Sequence, residues 1–207
     1  MQDFISIGGR QIKLTKEQLD QLTEALGMKT ECKKQLADFK AGDTVKIGGF
    51  EMVVLEQHGE ETSLILKDLY VEESEFGENN NNYDGSYVDE QCRKFALGLA
   101  AIVGEDNVVE HEVDLTSNDG LKCYGSVNRR ASLLTADLYR KYVDVLDAAK
   151  LDKWWWLATP WSTARHDHEV CALCVAPSGI IDIDNCGSDV IGVRPFCILK
   201  SSIFVSC

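Results

Sequence analysis

Two histidines and two carboxylates stand together at Arg165-His166-Asp167-His168-Glu169, a grouping suited to acid/base or metal-assisted chemistry. His166 and His168 lie two apart, so a strand would place both on one face at acceptable ligand spacing. A third ligand must come from elsewhere, with Asp182 or Asp184 nearest. A metal-dependent enzyme using His166, His168 and an aspartate is therefore one reading. Cys171-Ala172-Leu173-Cys174 has the gap of a zinc half-site, but no second tight pair completes it. On a strand its two thiols would also point to opposite faces. The run Asp182-Ile183-Asp184-Asn185 offers oxygens for calcium but lacks the glycine and distal glutamate of a calcium loop.

These residues sit inside an irregular segment bounded by distinctive blocks. All four tryptophans fall in Trp154-Trp155-Trp156-Leu157-Ala158-Thr159-Pro160-Trp161, and the segment closes with Gly192-Val193-Arg194-Pro195-Phe196. Aromatic rings bury large areas and hold neighbouring loops rigid, so the first block is expected to anchor rather than react. Arg194 is expected to be structural, its guanidinium stacked on a tryptophan or tied to a loop carboxylate.

A net charge of -13 argues against nucleic acid as a partner, because phosphate binding needs a basic face. No stretch approaches the ~20 apolar residues of a membrane span, and the first residues do not form a secretory signal. Synthesis in the cytoplasm is expected, with the eight cysteines reduced and no cofactor.

The elements that must position the segment are legible upstream. Residues 1–40 suggest a small unit: a hairpin from Phe4-Ile5-Ser6-Ile7 through Gly8-Gly9 to Gln11-Ile12-Lys13-Leu14, then an amphipathic helix. Thr15 and Gln18 occupy capping-box positions, Leu19, Leu22 and Leu26 share a face, and a second helical piece beyond Gly27 reaches Phe39. Such a unit is suited to covering the main domain or to homo-oligomerisation. Residues 41–207 form the main domain. Thr44–Ile47, the Gly48-Gly49 turn and Phe50–Leu55 make a hairpin, a third strand runs from Thr62 to Leu69, and their solid apolar runs predict a sheet covered on both faces. Residues 72–86, including Asn79-Asn80-Asn81-Asn82, are expected to be a solvated loop. Ser86 caps a helix with Cys92, Phe95, Leu99, Ile102 and Val103 on one stripe, ended by Gly104. Asn118-Asp119-Gly120 marks a turn between short strands, and a last helix starts near Thr135 and carries Leu138, Tyr142, Val145, Leu146 and Ala149. The fold class is α+β.

The Gly-Asp-led strand pair, the two amphipathic helices, Trp155-Trp156-Leu157-Ala158-Thr159-Pro160 and Gly192-Val193-Arg194-Pro195 together resemble a bacterial and phage domain family. Its members typically carry Trp-Trp-Leu-Arg-Ser-Pro and Gly-Val-Arg-Pro at these places, and many are variable proteins of diversity-generating retroelements. The resemblance covers roughly residues 41–207 and implies a C-type-lectin-like fold of the formylglycine-generating-enzyme kind, with a variable region at about 157–207. It also implies a non-enzymatic protein that recognises a protein or glycan on a bacterial surface, with a phage tail as one location. Adenine-directed rewriting of asparagine-type codons cannot readily yield Lys, Gln, Glu, Met or Trp. Between Ser162 and Cys197 the chain has no Lys, Gln, Met or Trp, and Glu169 alone among glutamates. On this reading Thr163, Arg165, His166, Asp167, His168, Cys171, Leu173, Ile181, Asp182, Asp184, Asn185, Ser188, Asp189 and Ile191 form the ligand surface. Trp155, Trp156, Trp161, Arg194 and Pro195 form the frame, with Val170, Val175, Ala176 and Gly179 as scaffold between the loops.

Overall fold

The computed structural model describes residues 4–7, 10–13, 15, 18 and 33–206. The chain divides into two compact units, Met1–Lys33 and Lys34–Cys207. In the first, β1 (Phe4–Ile7) and β2 (Arg10–Lys13) pair antiparallel, Phe4 opposite Lys13 and Ile7 opposite Arg10. The capping box follows: Gln18 N–H donates to Thr15 Oγ1 at 3.3 Å, and Thr15 N–H donates to Gln18 Oε1 at 3.1 Å. The expected Gly8-Gly9 turn, the Leu19, Leu22 and Leu26 stripe and the Gly27 break lie outside the described residues.

The end of the expected N-terminal helix is corrected. Lys33–Gln35 is strand β3, followed by a 3-10 turn over Leu36–Asp38. Leu36 N–H donates to the Ile203 carbonyl at 2.9 Å, and Leu36 and Phe39 are buried in the core of the larger unit. Long-range pairing and burial there override local helical propensity.

The larger unit is α+β and mostly antiparallel. Its main sheet contains β4 (Thr44–Ile47), β5 (Phe50–His58), β6 (Glu61–Leu66), β7 (Val108–Val109), β10 (Ala131–Ser132), β14 (Phe196–Lys200) and β15 (Phe204–Ser206). Its order is β10-β14-β6-β5-β4-β15-β3, with β7 also on β14. Successive residues of a strand point to opposite faces, so the solid apolar runs of β5 and β6 fill two cores. Met52, Val54, Leu64 and Leu66 pack with Phe95 and Leu99 of α1 (Tyr87–Val103). Val53, Leu55 and Ile65 pack with Tyr139 of α2 (Ala136–Lys141), Leu146 of α3 (Val143–Ala148) and Trp155.

Helix α1 begins where its sequence says it should. Ser86 Oγ accepts the Asp89 N–H at 3.2 Å, and Gly104 at φ 89° ends the helix in a conformation that favours glycine. Ile102, read as part of the buried stripe, is instead about half exposed and lies over the Gly48 turn. The expected single helix after Thr135 is two short helices broken at Tyr142. That residue is buried, and its hydroxyl donates to Glu56 on β5 at 2.8 Å, a tertiary anchor that takes precedence over helical continuity. Between the helices, β8 (His111–Asp114) pairs with β9 (Ser126–Arg129), and the loop joining them contains the Asn118-Asp119-Gly120 turn.

His111 sits inside this assembly, its Nε2 2.9 Å from Ser132 Oγ and its ring edge-on to Phe196. Burial pushes its imidazole down from 6.5 to about 4. The unfolded chain therefore takes up a proton near pH 6.5 that the folded protein refuses until about pH 4, so stability falls as pH drops through that window. The expected loss is on the order of 3 kcal/mol, the linkage equivalent of such a shift. Urea denaturation at pH 7 and pH 4.5 should show it, with a markedly smaller pH dependence in His111→Gln; equal dependence in both proteins would refute the assignment.

Candidate functional site

The segment that carries the suspected chemistry hangs from a buried frame. Strand β11 (Trp155–Pro160) is buried at every position and pairs with β12 (Cys171–Val175), which pairs with β13 (Ile181–Asn185). Trp155, Leu157, Leu173 and Val175 face the core under α2 and α3, whereas Trp156, Ala158, Ala172 and Cys174 face another built on Phe76, Tyr83 and Cys186. Each buried ring removes roughly 150–250 Å² from water, a gross transfer gain of about 4–6 kcal/mol. Trp156 also donates Nε1–H to the Ser74 carbonyl at 2.9 Å.

The two bounding motifs touch. Trp156 N–H donates to Gly192 O at 3.0 Å, and Gly192 N–H donates to Trp154 O at 2.9 Å, closing the segment at its base. Glycine is needed at 192 for space, since a Cβ would lie 2.3 Å from Leu69 Cδ1 and 2.9 Å from the Val71 carbonyl. Arg194 is buried, with its guanidinium carbon 5.2 Å from the Trp155 ring centroid. Its Nε donates to Leu66 O at 2.8 Å and its Nη2 to Lys67 O at 3.2 Å, so it ties β11 to β6 through carbonyls. Burial lowers its pKa to about 10, against the opposing pull of Asp68 and Tyr139, and it stays cationic at neutral pH. Pro195 is buried beside it, and Trp161 is half-buried.

Within the frame, the residues read from sequence as ligand-facing separate into two groups. Arg165, His166, Asp167, His168, Asp182, Asn185 and Asp189 are exposed, and Cys171, Ile181, Asp184 and Ser188 are half-buried. Thr163, Leu173 and Ile191 are corrected to interior positions: each is at most 2% exposed, and a buried side chain cannot meet a ligand on the surface. Leu173 is inward because β12 is covered on both faces; Ile191 packs with Trp156. Val170, read as scaffold, is exposed, and Ile180, Ile183 and Val190 add apolar groups that sequence reading missed. The alternation in Ile181-Asp182-Ile183-Asp184 was the available signal.

Two polar residues outside the segment hold it in place. Asn81 is fully buried, and its Nδ2 lies 2.9 Å from Ser162 O, 3.3 Å from His168 O and 2.6 Å from Cys171 O. Its Oδ1 accepts the Tyr124 hydroxyl at 2.9 Å, and its backbone N–H donates to Glu169 O at 2.7 Å. The asparagine run, read as a solvated loop, is corrected at this position. Asp119 accepts hydrogen bonds from Ser117 Oγ at 2.5 Å and Ser162 Oγ at 2.6 Å, and lies 2.8 Å from His166 Nδ1. The two hydroxyls, with His166 adding to them, hold its carboxyl well below the usual carboxylate range. A carboxylate only accepts, so His166 Nδ1 carries the proton in this pair. Asp167 closes the adjoining 3-10 turn, Ala164–His166, in the left-handed region at φ 55°, which aspartate tolerates better than most side chains.

Among the described residues, no three His, Cys, Asp or Glu side chains converge to hold a metal ion, so the third ligand required by the His166 and His168 reading is not in place. Cys174 is buried and Cys171 half-buried on the opposite face of β12. Burial pushes the Cys174 and Cys186 thiols up to about 12, and raises Cys171 as well, which disfavours the reactive thiolate. An open groove of about 740 Å³, lined by Phe50, Lys67, Tyr70 and Lys150 among others, includes no residue of the segment. Two of its acids are already paired: Glu51 with Lys46 and Lys67, and Asp68 with Lys153.

No helix among the described residues is long and apolar enough to cross a membrane. No protein-family model, curated protein or solved structure matches the chain.

Proposed function

We propose that this chain is a non-enzymatic binding protein of C-type-lectin-like architecture, a variable protein of a diversity-generating retroelement, and that it displays its rewritten residues from a fixed frame toward a protein or glycan on a bacterial surface. The observation that carries the reading is the separation of frame from display. Trp156 and Gly192 clasp the base of the segment, and most of the chemically varied side chains between them point outward. Recognition residues on loops held by a packed scaffold are the usual arrangement for binding.

Composition supports the same reading. The exposed types Arg165, His166, Asp167, His168, Val170, Ile180, Asp182, Ile183, Asn185, Asp189 and Val190 all lie within the set that rewritten asparagine codons supply. Glu169, which lies outside that set, is half-buried and gives its carbonyl to Asn81.

Two experiments test it. Sequencing the DNA beside the gene in several isolates should reveal a near-copy of the codons for 157–207, differing only at template adenines, with a reverse transcriptase gene nearby. Failure to find such a copy would remove the retroelement from the proposal. Retention of labelled protein on envelope preparations from a panel of bacteria tests binding. The pair His166→Ala and Asp184→Ala, one exposed and one half-buried, should abolish retention while shifting stability by less than about 1 kcal/mol, since neither side chain is in the core. A large stability loss would instead assign these side chains a structural role.

A further inference from the structure

Strand β13 is the outer strand of its sheet, with β12 on one side and no strand on the other among the described residues. The flanking bonds Cys186 N–H to Val170 O and Ala176 N–H to Ile180 O, at 2.8 and 2.9 Å, fix the phase of the ladder. In an antiparallel pair the bonded positions alternate, so Asp182 and Asp184 bond inward to β12, and the backbone groups of Ile181, Ile183 and Asn185 face outward. Two of those outward donors are occupied only by their neighbours. Ile183 N–H donates to Asp182 Oδ1 at 2.8 Å, and Asn185 N–H donates to Asp184 Oδ1 at 2.7 Å. Ile183 is 41% exposed beside this edge, and neither aspartate has an ion-pair partner among the described residues.

We propose that β13 is a strand-addition site for an extended polypeptide bearing alternating cationic residues. This deepens the binding reading by naming the ligand class. A partner carbonyl that takes the Ile183 or Asn185 N–H must displace a carboxylate. A neutral strand would gain a ladder bond and leave that charge with nothing in exchange. A strand with Lys or Arg at the facing positions gains the ladder and receives the released carboxylates as ion pairs, while its apolar residues cover Ile183. The aspartates thus act as a filter. They also disfavour a second copy of this chain, since pairing β13 with itself would set Asp182 and Asp184 against the same acids.

The test uses the intact protein and a fluorescein-labelled peptide of alternating lysine and valine, read by anisotropy at low and moderate salt. Saturable binding is expected, with about tenfold or more loss of affinity for Asp182→Asn with Asp184→Asn, a change readily resolved on this scale. A peptide methylated on every backbone nitrogen keeps the charge but cannot join a ladder, and it should not bind. Ile183→Pro removes an outward N–H without touching the ladder to β12, so it should abolish binding while circular dichroism and melting temperature stay near the parent's. Equal binding of the methylated peptide, or undiminished binding by Ile183→Pro, would reduce the contact to charge attraction and overturn the proposal. No binding of the unmethylated peptide also overturns it. If envelope retention survives that result, the binding-protein reading stands without strand addition; if retention is absent too, both fall.

Discussion

Asn81→Ala is expected to destabilise the protein by about 3 kcal/mol and to loosen residues 162–171, whereas Asn79→Ala, in the same asparagine run, should change stability by less than about 0.5 kcal/mol. The difference is one of placement. Asn79 is exposed, while Asn81 is fully buried and bonded through both its amide atoms to groups more than forty positions away in sequence. Truncation to alanine would leave the Ser162 and Cys171 carbonyls and the Tyr124 hydroxyl without that partner. A buried polar group left unpaired costs roughly 1–3 kcal/mol, and partial hydration near the surface moderates the sum. In a domain of this size about 3 kcal/mol lowers the melting temperature by roughly 6–12 °C. The same substitution should raise amide hydrogen exchange at His166 and His168, whose N–H groups bond to Thr163 O at 2.9 and 3.3 Å inside that loop. If Asn81→Ala melts with the parent, the loop is held by its own turns and by Asp119 alone.

The contrast within one run of four identical residues shows where sequence reading stops. The β4–β5 hairpin, the Ser86 cap and the Gly104 stop were legible because each depends on residues a few positions apart. So was the two-faced burial of the main sheet, since a solid apolar run has one physical meaning in a strand with both faces covered. Asn81 and Asp119 carried no such signal: one looked like its neighbours and the other like an ordinary turn residue. Their roles come from Ser162, His166, His168 and Cys171, which only the folded chain brings near. The break at Tyr142 and the strand at Lys33–Gln35 have the same origin, a distant partner outweighing a local preference. At the candidate site the period of Ile181-Asp182-Ile183-Asp184 was readable. That β13 lies at the edge of its sheet was not, because strand order is a property of the topology.

The second large effect is expected at Arg129. Its Nε and Nη2 grip both carboxylate oxygens of Asp89 at 2.7 and 2.8 Å, and Nη2 also reaches Asp84 at 2.6 Å. The Asp89 side chain is wholly buried and also accepts the Gly85 N–H at 3.1 Å, so this one pair joins β9 to the first turn of α1. Arg129→Ala should cost about 3–5 kcal/mol, because the guanidinium leaves behind a buried charge with no other ion-pair partner among the described residues. The loss reflects stranding Asp89 more than the intrinsic worth of the ion pair, and a double mutant separates the two. Asp89→Asn keeps an acceptor for Gly85 while removing the charge. Adding it to Arg129→Ala should therefore recover stability instead of costing more, by roughly 1–2 kcal/mol on the scale of coupled neighbours. Urea denaturation of the four proteins in the cycle reads this directly. If the two substitutions simply add, Asp89 is hydrated once Arg129 leaves, and the first turn of α1 opens to water more readily than the burial of Val88 and Cys92 with Tyr83 implies.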